Sequence, residues 1–177
     1  MAVPNEEMLA MARELPIPVP WDLDVFIQNI AALRGRPIHL IPTETAALAG
    51  SPCGLWLTRD HDDLILHEVG TSQYHAAQIV CHEIGHMMLG HGRTRAFGAD
   101  REREIEMCQK VLPGIDPTAV NAVLGRTDFE SDQERDAEMF ASILMIAAAE
   151  VADQGLGLEL IGGLRLGRPF DLILDSV

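Results

Sequence analysis

The sequence HEIGH at positions 82–86 places His82 and His86 four residues apart, with Glu83 between them. In a helix, residues four apart lie on one face, separated by one turn and about 6 Å of rise. Two imidazoles arranged in this way can bind one metal ion. Glu83 would be rotated by about 100° from His82, beside the ion rather than beneath it. From there its carboxylate can take a proton from a water molecule that the metal activates.

The metal expected from this motif is Zn²⁺. Two imidazoles and one carboxylate suit zinc and leave a fourth position for water, whose pKa then falls to about 7. We therefore predict His82 and His86 as metal ligands and Glu83 as the catalytic base of a hydrolase. Two less specific interpretations are a zinc site without turnover and a metal-free structural helix that carries two ordinary histidines.

A third protein ligand has to come from elsewhere in the chain, and the acidic segment 134–138 offers several candidates. Glu134, Asp136 or Glu138 could each approach the histidines from a second helix. Glu138 lies one turn after Glu134 and could instead orient a ligating histidine through its other ring nitrogen. A competing role for Glu134 is a capping box, in which its carboxylate bonds the amide of Ser131. Spacing alone does not choose among these roles.

The remaining histidines are weaker ligand candidates. The metzincin pattern requires a third histidine ten residues after the first, where this chain has Gly92. His91 is one residue short and could reach the ion only if the chain folds back, so we do not expect it to be a ligand. His75 lies about 10 Å before the motif by helical rise. His39 and His67 fall in predicted strands, where a structural role is expected.

Cys81 and Tyr74 also lie near the motif. Cys81 points away from the face that carries His82, and we expect it to be a small buried hydrophobic residue. Tyr74 is the only tyrosine in the chain, and a hydroxyl can stabilise the oxyanion of a tetrahedral intermediate. Its distance from His82, about 12 Å by helical rise, argues against that role.

The predicted secondary structure combines helices with a small, mostly antiparallel sheet, which gives an α+β fold. We expect a single domain of 177 residues with an N-terminal arm (1–20), a core (22–150) and a C-terminal extension (151–177). The polar stretch 59–63, which contains His61, is predicted to be a solvated five-residue hairpin loop. Helices are predicted at 8–15, 22–34, 72–89, 100–110, 116–124 and 131–151, and strands at 38–41, 55–58, 64–68 and 170–174.

The composition argues against several classes of protein. The formal net charge is −14 at pH 7, and a chain this acidic repels nucleic-acid phosphates and lacks a polybasic membrane patch. No apolar run approaches the ~20 residues of a membrane span, and the first residues carry acids rather than the basic region of a secretory signal. Three cysteines, an odd number, favour reduced thiols and a cytoplasmic protein.

The segment HEIGHMML at 82–89, followed by the pattern ExxAExFA at 134–141, resembles the ImmA/IrrE family of zinc metallopeptidases. The resemblance covers roughly residues 22–150. It implies a zincin-like, gluzincin-type fold with the HExxH helix packed on the sheet, and it implies Glu134 as the third metal ligand. The stretch 92–130 is longer and more charged than we expect for that family, and we predict a lid or a partner surface there.

Members of that family commonly act on helix-turn-helix repressors or accompany such regulators as toxin–antitoxin or stress-response partners. The resemblance therefore implies a zinc endopeptidase that hydrolyses a peptide bond in a helix-turn-helix DNA-binding protein and so affects transcriptional regulation. The alternative is a non-catalytic, zinc-containing regulatory module that sequesters such a protein. The acidic surface suits either function, because it can dock a basic DNA-binding domain.

Overall fold

A computed structural model describes residues 3–44, 54–91, 102, 105–106, 108–110, 112–116, 120–124 and 131–158. Its elements, in chain order, are α1 (Asn5–Glu14), α2 (Leu23–Arg34), β1 (Ile38–Thr43), β2 (Gly54–Arg59), β3 (Asp63–Glu68), α3 (Gln73–Leu89), β4 (Val120–Leu124) and α4 (Ser131–Leu158). The α+β class is therefore confirmed. The predicted strand at 170–174 lies outside the described residues. None of the described helices is both long and apolar enough to cross a membrane.

The four strands form one sheet in the order β1-β3-β2-β4. Strand β1 pairs with β3 in parallel, whereas the β3–β2 and β2–β4 pairs are antiparallel. The sheet is thus mixed, with antiparallel pairs in the majority, as predicted. The hairpin loop between β2 and β3 is three residues long, 60–62, rather than the predicted five. It is shorter because Thr58 still pairs with Asp63.

Hydrophobic side chains are buried on both faces of this sheet, because strand residues alternate between the two faces. Trp56 and Ile65 pack against the helices in the larger core cluster, together with Val80, Ile84 and Phe140. The opposite face forms a second cluster with described residues of the 92–130 stretch. Its buried members are Leu55, Leu57, Leu64, Leu66, Cys108 and Val120. Part of the stretch predicted as a lid or partner surface therefore covers the sheet.

The structure corrects one predicted helix. An Asp-Pro pair at 116–117 predicted a helix over 116–124, but Val120–Leu124 is strand β4 and pairs with the end of β2. The sequence VNAVL contains two valines, which fit a pleated surface. The prediction was wrong because the backbone partners of β4 come from a strand far earlier in the chain, which local spacing does not reveal.

A buried carboxylate supports the β2–β3 hairpin. The side chain of Asp63 is fully buried. Its Oδ2 accepts hydrogen bonds from Arg34 at 2.9 Å and Arg36 at 3.0 Å, and its Oδ1 accepts one from the Thr58 hydroxyl at 3.0 Å. The predicted solvated loop is therefore wrong for Asp63, although His61 is exposed. The reason is tertiary, because two guanidinium groups compensate the cost of burying the charge.

Candidate metal centre

Helix α3 carries the HEIGH motif in its interior, because local start and stop signals flank it. The Ser72 hydroxyl accepts the His75 N–H at 3.1 Å and caps the first turn. Gly90 ends the helix in a left-handed conformation with φ of 73°, which glycine adopts without a steric penalty. His82 and His86 therefore lie one turn apart on one face of a regular helix.

Helices α3 and α4 approach each other closely at Gly85, in the middle of the motif. A Cβ atom added to Gly85 would lie 3.0 Å from the carbonyl oxygen of Ala137 and 3.2 Å from its Cα. A residue without a side chain allows this approach. Glu134 lies in the first turn of α4, three residues before Ala137. The contact therefore brings its carboxylate next to the two histidines.

Three side chains, which we call the metal triad, converge on one point: His82, His86 and Glu134. The two imidazole Nε2 atoms are 3.1 Å apart. The carboxylate oxygens of Glu134 lie 3.6 Å from His82 Nε2 and 3.5 Å from His86 Nε2. Tetrahedral zinc with bonds of roughly 2.0–2.1 Å separates its ligand atoms by about 3.3–3.4 Å. The three separations bracket that value, so the triad could hold a metal ion and its donor set fits zinc.

The other two acids of segment 134–138 occupy different positions. Glu138 Oε2 lies 3.6 Å from His82 Nδ1, on the side of the ring away from the triad, and its side chain is 58% exposed. This is where we predicted a group that orients the ligating histidine. Asp136 is buried and accepts the main-chain N–H of Val3 at 2.7 Å. Of the three candidates that spacing left open, the structure brings Glu134 to the Nε2 atoms.

Glu83 is buried near the triad and lies against strand β2. A Cβ atom on Gly54, the first residue of β2, would lie 2.7 Å from Glu83 Oε1. Burial, and after it the charge of Glu134, raises the pKa of Glu83 to about 8. A cation at the triad would oppose both effects and favour the carboxylate, the form that accepts a proton. Nothing in the sequence around Gly54 predicts that it lies against the Glu83 carboxylate.

His91 lies behind His86 rather than at the metal position. Its Nδ1 is 2.9 Å from His86 Nδ1, and its N–H donates to the His86 carbonyl at 3.0 Å. Burial, followed by the influence of His82 and His91, lowers the pKa of His86 to about 3. The His86 ring is therefore neutral at neutral pH and able to ligate. Spacing in the sequence indicated His91 only as a weak ligand candidate, and no sequence signal indicated this supporting position.

The other candidates from the sequence lie outside the triad. Tyr74 is 65% exposed in the first turn of α3, and His75 beside it is half-buried. His39 is exposed on β1 and His67 is half-buried on β3. Cys81 is fully buried, as predicted, and burial raises the pKa of its thiol to about 12. Among the described residues, no second group of His, Cys, Asp and Glu side chains is arranged to hold a metal ion.

No protein-family model matches this chain, and neither a curated protein nor a solved structure is significantly similar to it. The function of the chain must therefore be inferred from the chemistry of its own residues. The strongest guide is the metal triad with the buried carboxylate of Glu83 on the same helix.

Proposed function

We propose that this chain is a zinc-dependent endopeptidase in which His82, His86 and Glu134 hold the metal and Glu83 transfers protons. The geometry of the metal triad carries the proposal, since its donor separations suit tetrahedral zinc. Structural zinc sites are usually closed by four protein ligands, whereas catalytic sites keep one position open. Within the described residues the group has three members, as a catalytic site requires.

The chemistry divides between the metal and Glu83. Zinc bound at the triad would supply a Lewis acid that polarises a scissile carbonyl and makes a water molecule easier to deprotonate. Glu83 would receive the proton of the attacking water and deliver it to the leaving amine. The approach of Gly54 to the Glu83 carboxylate limits where that carboxylate can move. Such restriction keeps an acid–base group close to its reactive geometry.

We further propose that the substrate is a cytoplasmic helix-turn-helix DNA-binding protein. The net charge of −14 favours a basic partner and disfavours direct contact with nucleic acid. The resemblance of segments 82–89 and 134–141 to ImmA/IrrE peptidases supports the same class of substrate. Docking would then bring the acidic chain to the surface with which the regulator binds DNA.

The decisive experiment compares wild type with Glu83→Gln on a panel of helix-turn-helix repressors, beginning with any encoded by a neighbouring gene. Metal analysis should find equal zinc in both proteins, while mass spectrometry should find cleavage by wild type alone. Glu7→Gln, which removes an exposed charge on α1, is the matched control and should cleave normally. His86→Ala should lose both zinc and cleavage.

Other results would change the conclusion. Equal cleavage by Glu83→Gln and wild type would contradict the role of Glu83. Purified wild type that binds no zinc would contradict the metal centre as a whole. If neither protein cleaves and both release a repressor from DNA equally well, the chain is a sequestering module rather than a peptidase.

A further inference from the structure

A series of buried polar groups leads from the back of His86 to the N-terminal segment. His86 Nδ1 lies 2.9 Å from His91 Nδ1. Asp136 directly precedes Ala137, whose backbone lies against Gly85, the neighbour of His86 in the motif. Asp136 Oδ2 accepts the Val3 N–H at 2.7 Å. His86, His91 and Asp136 are only 1%, 6% and 3% exposed, so water competes weakly for these groups.

The metal site determines which of the two histidines donates the hydrogen bond between them. A ring that ligates a metal through Nε2 carries its proton on Nδ1, and that nitrogen must donate. His86 Nδ1 would therefore donate to His91 Nδ1, which accepts and leaves the His91 proton on Nε2. Two Nδ1 atoms facing each other require one donor and one acceptor. Contact with His91 thus gives the Nδ1 proton of the metal-ligating His86 tautomer a buried acceptor.

Asp136 connects this pair to two other parts of the molecule. It lies on α4, the same helix that supplies Glu134. One helix therefore contributes a ligand to the triad and a buried carboxylate next to the point where α4 contacts α3. The Val3 N–H compensates part of the cost of burying that charge, because a hydrogen-bonded carboxylate is much less costly than an isolated one.

We propose that His91 and Asp136 are positioning residues for the metal ligand His86, and that the Val3 N–H joins the N-terminal segment to this unit. The proposal rests on the proposed metal centre and assigns residues that hold it in place. His91 accepts the Nδ1 proton of the ligating His86 ring and limits the rotation of that ring. Asp136 supports this part of the structure as a buried carboxylate on the segment of α4 that packs against the motif. Removing partners of this kind typically lowers metal affinity about 10- to 100-fold.

The test measures zinc affinity of the full chain by competition with a chromophoric chelator at fixed pH. His91→Ala should bind zinc about 10- to 100-fold more weakly than wild type. His91→Asn retains an acceptor near the His86 ring and should recover part of that loss. Asp136→Asn, which keeps the size but not the charge, should also bind more weakly. The absorption spectrum of the cobalt-substituted protein should change in His91→Ala, because the geometry at the metal changes.

The N-terminal link has its own pair of variants. Val3→Pro removes the N–H that Asp136 accepts, because proline has no main-chain donor. Val3→Ala keeps the donor and removes most of the side chain. We expect several-fold weaker zinc binding in Val3→Pro and wild-type binding in Val3→Ala. Equal affinity in these two variants would remove the N-terminal segment from the proposal.

The outcomes separate this proposal from the metal centre itself. Wild-type zinc affinity and an unchanged cobalt spectrum in folded His91→Ala would overturn it. If His91→Ala does not fold, the same result in His91→Phe, which keeps a ring but offers no acceptor to His86, would overturn it. A purely structural role would lower the melting temperature but leave the zinc affinity of the folded variants unchanged. A wild-type chain that binds no zinc would instead overturn the metal centre and this proposal with it.

Discussion

The backbones of Gly85 and Ala137 lie in contact, such that a Cβ atom on Gly85 would be 3.0 Å from the Ala137 carbonyl oxygen. This contact sets the distance between the helix that carries the two histidines and the helix that carries Glu134. Glu134 is less than one helical turn from Ala137. A displacement of α4 away from α3 at this point therefore moves the Glu134 carboxylate away from the imidazoles.

Gly85→Ala should consequently weaken zinc binding, by about tenfold, while the chain stays folded. The added methyl group improves helix propensity by about 1 kcal/mol, which offsets part of an overpacking cost of about 1–3 kcal/mol. Zinc competition and urea unfolding measure the two effects separately. Gly114→Ala is the control, since a Cβ there meets nothing within 4 Å. Equal zinc affinity in the two variants would show that the helix contact does not position Glu134.

Gly54→Ala should impair turnover without removing the metal. Its methyl group would lie 2.7 Å from Glu83 Oε1 and from Ile79 Cγ2, so the carboxylate must move. A misplacement of about 1 Å can cost 100-fold in rate, and we expect a loss of kcat of that order with normal zinc content. Steady-state cleavage and metal analysis provide the two readouts. Unchanged kcat would mean that Glu83 works without restraint from β2.

Asp63→Asn should destabilise the fold by about 1–3 kcal/mol, because two partly exposed arginines lose their charged partner and part of the buried hydrogen bonding is left unsatisfied. Asp62→Asn is the matched control on the neighbouring residue. Asp62 pairs with Arg59 near the surface, where an ion pair contributes about 1 kcal/mol or less. Urea unfolding of both variants measures the difference. Similar losses of unfolding free energy in the two variants would contradict the importance that we assign to the buried Asp63 carboxylate and its two arginine partners.

Local signals predicted the helix of the metal centre well. Ser72 and Gly90 bound α3 as expected, because capping depends on residues within one turn of the helix end. The position of Glu138 beside His82 also follows from helical spacing. The choice of Glu134 did not come from spacing. It came from the resemblance, and the structure places its carboxylate at the two Nε2 atoms.

The features that the sequence did not reveal all depend on distant parts of the chain. Gly54 approaches Glu83 only because a strand packs against α3. Asp63 is buried because arginines from α2 reach it. His91 returns to His86 because the left-handed Gly90 turns the chain back over the last helical turn. Helix-end signals predict where α3 stops but not which side chain the following residue will contact.

The metal-free chain should show two opposing effects of pH on folding stability. The pKa of His86 is about 3 in the folded chain, mainly because of burial, against 6.5 ordinarily. The unfolded chain therefore binds a proton that the folded chain does not, and stability is lost as pH falls below 6.5. The pKa of Glu83 is about 8 when folded against 4.5 ordinarily, so stability is lost as pH rises from 4.5 to 8. Each effect corresponds to the uptake or release of one proton, on the order of 1 kcal/mol per pH unit within its window.

Between pH 4.5 and 6.5 these two effects oppose each other, and between 6.5 and 8 the effect of Glu83 remains. With a chelator present, Glu83→Gln should lose the decline above pH 6.5 and become more sensitive to acid below it. His86→Asn should lose the effect of His86 and keep that of Glu83, so its folding stability should fall steadily from pH 5 to 8. Unfolding free energies in urea at half-unit steps would measure both profiles. A Glu83→Gln profile parallel to wild type would mean that Glu83 is already ionised in the folded, metal-free chain, and that its enclosure between α3 and β2 does not control its proton.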